Sequence, residues 1–489
     1  MRRSLLLALP ACLLAITLPA CGGDDDSSGP LEAGLAYLPA DSPFAMSIDT
    51  ELDGDQYKAL DSILGKFPFG DQTVKQLIAE QVAGTDSGVN FEEDVEPILG
   101  NPFVVGALDV ASFIGDQQSD DFVAALQSDD QEALDDLVDK TGAERTSETA
   151  GATKYEDDGT VFAVDGDVVV LAGSEEALDR ALERADGDDH LTQDQYQAAF
   201  DGLPDAALAL VYADLEELIG RDPEARQARK VEWVDALRTL GLTASASDDG
   251  LEMQFNVRTD PDGLTDADLP MATGDESPPA IARAGEIGIG LRDLSQLIGF
   301  AEAAGQSIDP SGFGDYEQAK QTLDSRLGVS IDDDLIGRLR GDMAGSVSLD
   351  GEFGLRAEVE NPAAFEKTLA KIAKVLPASS AGDGLFRLGG SDGDLAVTGV
   401  VDGVFVVASD PERAREIARE TPEEVDGAEG ALAVRSDAQA LANVLIRRHG
   451  PGGVEGFGAQ LFTGPLEDLT GSMSADTHGL RGRVQLAVE

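Results

Sequence analysis

The segment Phe162–Ala185, FAVDGDVVVLAGSEEALDRALERA, has a near copy at Thr398–Glu420, TGVVDGVFVVASDPERAREIARE. Each reads as a strand, an Asp-Gly turn, a second strand, a serine and a helix. Asp165-Gly166 and Asp402-Gly403 are expected to form two-residue hairpin turns, because glycine supplies the positive φ that such turns need. Ser174 and Ser409 stand where helix N-caps belong. Glu412 follows Ser409 at capping-box spacing, and Pro411 lies near the first turn. Connections this short join antiparallel strands, since parallel neighbours need a long crossover.

Three further segments recur in the same order. LGNPFVVGALD from Leu99 pairs with LRGDMAGSVSLD from Leu339, and ALALVYADLEELIG from Ala207 with GALAVRSDAQALANVL from Gly430. GLTASASDDGLEMQFNVR from Gly241 pairs with DLTGSMSADTHGLRGRVQL from Asp468. The distance between partners shortens in loop-sized steps, as duplication followed by deletions would leave, and it is far too long for a solenoid repeat. Apolar residues fall at helical spacing at Tyr57, Leu60, Ile63, Leu64 and Phe67, at Val74, Leu77, Ile78 and Val82, and at Phe365, Leu369, Ile372 and Leu376. The expected fold class is therefore α+β: two similar lobes from an internal duplication, each an antiparallel sheet with helices on one face. Proline and aspartate crowd the stretch around residues 259–280, which is poor helix or strand. Lobe one is expected over 35–262, a linker over 263–280 and lobe two over 281–489.

The chain opens Met1-Arg2-Arg3, runs through an apolar stretch and reaches Leu18-Pro19-Ala20-Cys21. Basic, apolar, then small is the order of a secretory leader. The run is shorter than a spanning helix needs, and Pro10 and Pro19 would interrupt one. The tetrapeptide resembles a lipobox, which implies cleavage after residue 20 and lipid attachment at Cys21. Leu9-Pro10-Ala11-Cys12 repeats the tetrapeptide, but cleavage there would leave an apolar start. Gly22-Gly23-Asp24-Asp25-Asp26-Ser27-Ser28-Gly29 cannot bury apolar surface, so residues 21–34 are expected to be a flexible acidic tether.

Lys and Arg number 35 against 94 Asp and Glu, a net charge of −59. Such a body repels nucleic acid, whose phosphates need cations, and repels anionic headgroups. With Cys12 and Cys21 the only cysteines, a processed chain has no thiol pair for a disulfide.

AGLAYLPADSPFAMSIDTELDGDQYKALDSILGKFP, with Leu38-Pro39-Ala40-Asp41 and Asp53-Gly54-Asp55-Gln56, resembles an uncharacterised family of bacterial secreted or membrane-anchored proteins, domain of unknown function 3352. The resemblance implies no activity and no catalytic residue.

Gly389-Gly390-Ser391-Asp392-Gly393 spells G-x-S-x-G, but a nucleophile elbow lies between a strand and a helix, and strands are expected on both sides here. His190, His449 and His478 share no metal-ligand spacing. Asp24-Asp25-Asp26 and Asp332-Asp333-Asp334 lack the calcium-loop alternation, and the second triplet suits a helix start. No catalytic residue, metal ligand or cofactor site is expected. The expected function is a non-catalytic cell-envelope lipoprotein, held at the outer face of the membrane by its anchor and binding or scaffolding an unknown partner. Two alternatives stay open: a carrier of a lipid or other apolar ligand, and a hydrolase using carboxylates in an inter-lobe cleft.

Overall fold

The computed structural model describes residues 29–489 except 69, 71, 84–87, 108–120, 158, 224, 274–277, 284, 376–377, 391–392 and 450–462. Cys12, Cys21, Asp24-Asp25-Asp26 and Ser391 lie outside the described residues. The chain divides into two units. The first runs to Arg221 and includes Arg238–Arg258 and Val488; the second takes Asp222–Leu237, Thr259–Ala487 and Glu489.

The first unit holds strands β1 (Phe44–Ile48), β2 (Phe103–Ala107), β3 (Phe122–Gln127), β4 (Glu144–Thr149), β5 (Ala152–Asp157), β6 (Thr160–Asp165), β7 (Val168–Ala172), β8 (Ala209–Asp214), β9 (Leu237–Ser247) and β10 (Gly250–Thr259). They neighbour one another in the order β4-β5-β6-β7-β3-β2-β1-β8-β9-β10. The second holds β11 (Ile287–Leu291), β12 (Leu339–Val347), β13 (Phe353–Val359), β14 (Ala378–Gly382), β15 (Leu385–Gly390), β16 (Gly393–Val401), β17 (Val404–Ala408), β18 (Leu432–Asp437), β19 (Leu466–Asp476) and β20 (Gly479–Val488). Their order is β14-β15-β16-β17-β13-β12-β11-β18-β19-β20. The registered pairs are antiparallel, so the fold is α+β with antiparallel sheet.

Lateral rows of side chains follow from these registers. In the first unit Ile48, Phe103, Leu126 and Val169 form one row, and Met46, Val105, Ala124 and Leu171 the next. In the second, the rows at the same strand positions are Leu291, Met343, Ala357 and Phe405, then Ile289, Gly345, Leu355 and Val407.

The expected placement of helices on one face is not what the first unit does. Alternate residues point to opposite faces of a strand, and both parities are apolar here. The rows just described pack under the helices Asp55–Gly65, Val74–Ala83 and Gln131–Thr141, with Tyr57, Ile78 and Leu134 in the same core. The opposite parity, including Ala45, Val104, Val123 and Val170, packs under the helices Pro30–Leu35, Glu175–Ala185 and Gln193–Ala198. The second unit also uses both faces. Phe365 on the helix Pro362–Ile372 meets Phe405 edge-on at 5.2 Å, while Ala414 and Ile417 on the helix Pro411–Arg419 pack with Val397, Val406 and Ala408 of the other parity. Runs such as Val168–Ala172, buried throughout, are the sequence trace of a sheet covered twice.

Local expectations mostly hold, with corrections. Ser174 caps its helix by accepting from the Ala177 N–H. The second cap is Asp410, not Ser409: Asp410 accepts from the Glu412 and Arg413 N–H groups. Pro411 takes the first helical position, which makes the residue before it the cap. The turn after β6 is Gly166-Asp167, one residue later than expected, because Asp165 itself pairs with Val168. Only Gly166 has positive φ there, whereas Asp402 and Gly403 both do. The tether is shorter than expected. Pro30–Leu35 is a helix with Leu35 fully buried, and Gly34 lies so close to Val104 that a Cβ would meet its Cγ2 at 2.7 Å.

The expected boundaries also shift. Asp222–Leu237, placed in lobe one, groups with the second unit, where Val231, Trp233 and fully buried Leu269 form a cluster with Phe300, Ala304 and Leu480. Leu269 lies inside the expected linker, so part of that stretch is core.

Candidate functional site

Two open grooves of the second unit gather polar side chains. The larger, about 790 Å³, is lined by Glu286, Leu349, Asp350, Gln439, Asn443 and Thr463 among others. Glu286 precedes β11, Leu349-Asp350 sits in the turn from β12 to β13, and Gln439 and Asn443 lie one turn apart on the helix Ala438–His449. Pairing of β11 with β18 brings these segments together, Ile287 standing opposite Ser436. The Glu286 carboxylate accepts the Leu349 N–H at 3.0 Å, and Thr463 Oγ1 lies 3.3 Å from Asn443 Oδ1.

A second groove, about 410 Å³, shares Glu286. Here Arg283 Nε lies 2.9 Å from Glu423 and Arg435 Nη2 lies 2.6 Å from Asp468. The hydrogen bond to Asp468 holds the Arg435 guanidinium above its ordinary pKa. Carboxylates, carboxamides, a hydroxyl and paired guanidiniums make hydrogen bonds to polar partners. Among the described residues the lining contains no imidazole or thiol.

The sequence-selected groups lie elsewhere. His190 sits in a bridge with Pro39, and His478 in the turn from β19 to β20. His449 is the last residue of its helix. Asp332-Asp333-Asp334 stands at the start of a short helix capped by Ser330, as expected, and Asp332 pairs with Lys320 at 2.8 Å. Strands β15 and β16, which flank the G-x-S-x-G stretch in sequence, pair antiparallel through Gly390 and Gly393, and the expected strands on both sides are present. Among the described residues no group of three His, Cys, Asp or Glu could hold a metal, and no helix is long and apolar enough to cross a membrane.

Two charged sites of the first unit escaped the sequence reading. Asp49, just past β1, is buried, and burial pushes its carboxyl up to about 6; the Glu51 N–H, donating at 2.5 Å, opposes this and the Glu51 charge adds to it. Lys154 on β5 is also buried, 2.7 Å from Asp179 and 3.0 Å from Glu175. Burial pulls its ammonium down, but the two carboxylates outweigh burial and leave it raised. The two carboxylates are 39% and 67% exposed, so either alone still serves the buried ammonium, and only the loss of both strands it. Asp179→Ala combined with Glu175→Gln should therefore cost about 2–3 kcal/mol more than Lys154→Met. Urea unfolding of both variants checks the order, and equal losses would refute a desolvated pair.

Comparison with known proteins adds little beyond the family. No curated protein matches. The structure of crystal form III of TP0453 aligns with 47% of this chain and 82% of its own, at 10% identity and a TM-score of 0.28. Crystal form I aligns with 49% and 82%, at 12% identity and a TM-score of 0.27. Likenesses this slight carry no argument. Residues 6–381 match the model of a family described as protein of unknown function (DUF3352), and the chain belongs to that family.

Proposed function

We propose that the protein is a non-catalytic lipoprotein of the cell envelope, anchored through lipid on Cys21 at the extracytoplasmic face and serving as a binding or scaffolding body. The observation that carries this is the run of two arginines, an apolar stretch and Leu18-Pro19-Ala20-Cys21, followed at once by an acidic, glycine-rich spacer. At about 3.5 Å per residue, Cys21 can lie no more than roughly 28 Å from Gly29, where the described chain begins. A net charge of −59 would keep the body from lying on anionic lipid.

We also propose that the units descend from one duplicated ancestor. The identical strand order and the matching lateral rows support this, as do the recurring sequence segments.

Intact mass of the product from its native host tests the anchor. The expected chain begins at Cys21 and carries a diacylglyceryl mass; Cys21→Ser is expected to leave the membrane fraction. A product that retains Met1, or has an unmodified thiol, would overturn the reading.

A further inference from the structure

We infer that the helical hairpin Leu294–Leu327 is a hinged lid of the second unit, opening as one piece while the sheet stays folded, with Lys320 as its latch. The inference uses neither the anchor nor a ligand. In each unit two helices follow the first strand. In the first unit they are Asp55–Gly65 and Val74–Ala83, and Tyr57, Ile63, Val74, Ile78 and Val82 are buried along them. In the second they are Leu294–Ile308 and Pro310–Leu327, and neither buries a residue. Segments with few buried apolar side chains open locally, at a fraction of the free energy of global unfolding.

The hairpin is docked through its edges. Phe300 and Ala304 pack with Trp233 and Leu269, and the helix Leu294–Ile308 touches β12. The Gln296 carboxamide donates to the Asp266 and Leu269 carbonyls at 2.7 and 2.9 Å, and Lys371 donates to the Leu327 carbonyl at 3.4 Å. The backbone is left-handed at both boundaries, with φ of 45° at Asp293 and 59° at Gly328. Neither helix therefore runs on into the rest of the unit, and each boundary is a single break about which the hairpin can turn.

Charge stands where the first unit has apolar contacts. Lys320, its side chain only 12% exposed, lies 3.1 Å from Glu302 on the other helix of the hairpin and 2.8 Å from Asp332, which is past the Gly328 boundary. Glu317 is 3.6 Å away, and the Tyr316 hydroxyl donates to Glu302 at 2.5 Å. Burial pulls the ammonium down, but hydrogen bonds to Asp332 and Glu302 outweigh it and leave it raised. One cation thus joins the two helices to each other and to the segment beyond the hinge. Without it, three carboxylates face one another. Added salt weakens the attraction in the first case and the repulsion in the second.

Hydrogen exchange of the full chain carrying Cys21→Ser, read by mass spectrometry, tests the lid. Peptides across 294–327 are expected to be protected to one common extent, at least about tenfold less than β11 to β13 and than the helices Asp55–Gly65 and Val74–Ala83. Lys320→Met should speed exchange of the hairpin about fivefold further and leave β11 to β13 within about twofold. Raising sodium chloride should speed the hairpin in the wild type and slow it in Lys320→Met. Asp332→Asn should act like Lys320→Met but more weakly. Lys367→Met, exposed on the helix Pro362–Ile372, should change nothing. A cooperative melt confirms folding; should Lys320→Met not fold, Asp332→Asn decides. Hairpin protection equal to that of β11 to β13, wild-type exchange in the folded latch variants, or a salt response of the same sign in wild type and Lys320→Met each overturns the inference. The anchor stands or falls separately, by mass.

Discussion

Trp233→Ala is expected to remove about 3–5 kcal/mol from the second unit, the range for truncating a large buried aromatic. Trp233 is 5% exposed and shares its cluster with Val231, Leu269, Phe300 and Ala304. Its segment lies between stretches of the first unit in sequence but groups with the second. The loss should therefore appear in the second unit, with hydrogen exchange of β11 to β13 accelerated and that of β1 to β3 unchanged. The helix Leu294–Ile308, which rests on this cluster, should exchange fastest of all. Protection of that helix at its wild-type level would show that Trp233 does not support it. The wild type offers a second readout: Trp233 is the sole tryptophan, so its fluorescence reports the unfolding of this unit alone.

The second large effect is expected at Asp49. Its carboxyl titrates near 6 in the folded chain and at 3.8 in the unperturbed group, because burial penalises the charge. A carboxyl with a raised folded pKa contributes stability that is fully present below the unfolded pKa and is lost as pH rises through the folded one. Between pH 4 and pH 8 the first unit should thus lose up to about 3 kcal/mol through this group. Asn at this position stays neutral and keeps an oxygen to accept the Glu51 N–H. Asp49→Asn should be more stable than wild type by about 1–3 kcal/mol at pH 8, and the difference should shrink towards pH 4. Hydrogen exchange of the β1 amides at the two pH values measures it. A difference that is flat with pH would mean that Asp49 ionises without penalty.

Much of this architecture was legible in local sequence. The hairpin at Asp402-Gly403, the cap at Ser174 and the helices starting near Tyr57, Val74 and Phe365 follow from turn chemistry and apolar periodicity, which act over a few residues. The recurring segments landed on matching strands for the same reason. The lining of the grooves was not legible. Glu286, Asp350 and Gln439 are far apart in sequence and meet only because β11 lies between β12 and β18.

By itself, then, the sequence determined the elements, their antiparallel pairing through short turns, the acidic surface and the family. Tertiary structure decided that the first sheet is covered on both faces, since a strand apolar at every position does not say which helix lies over which side. It also decided that Asp222–Leu237 joins the second unit and packs against Phe300 and Ala304 of the helix Leu294–Ile308. That outcome depends on where Trp233 finds apolar neighbours distant in the chain, a matter of packing that no local pattern encodes.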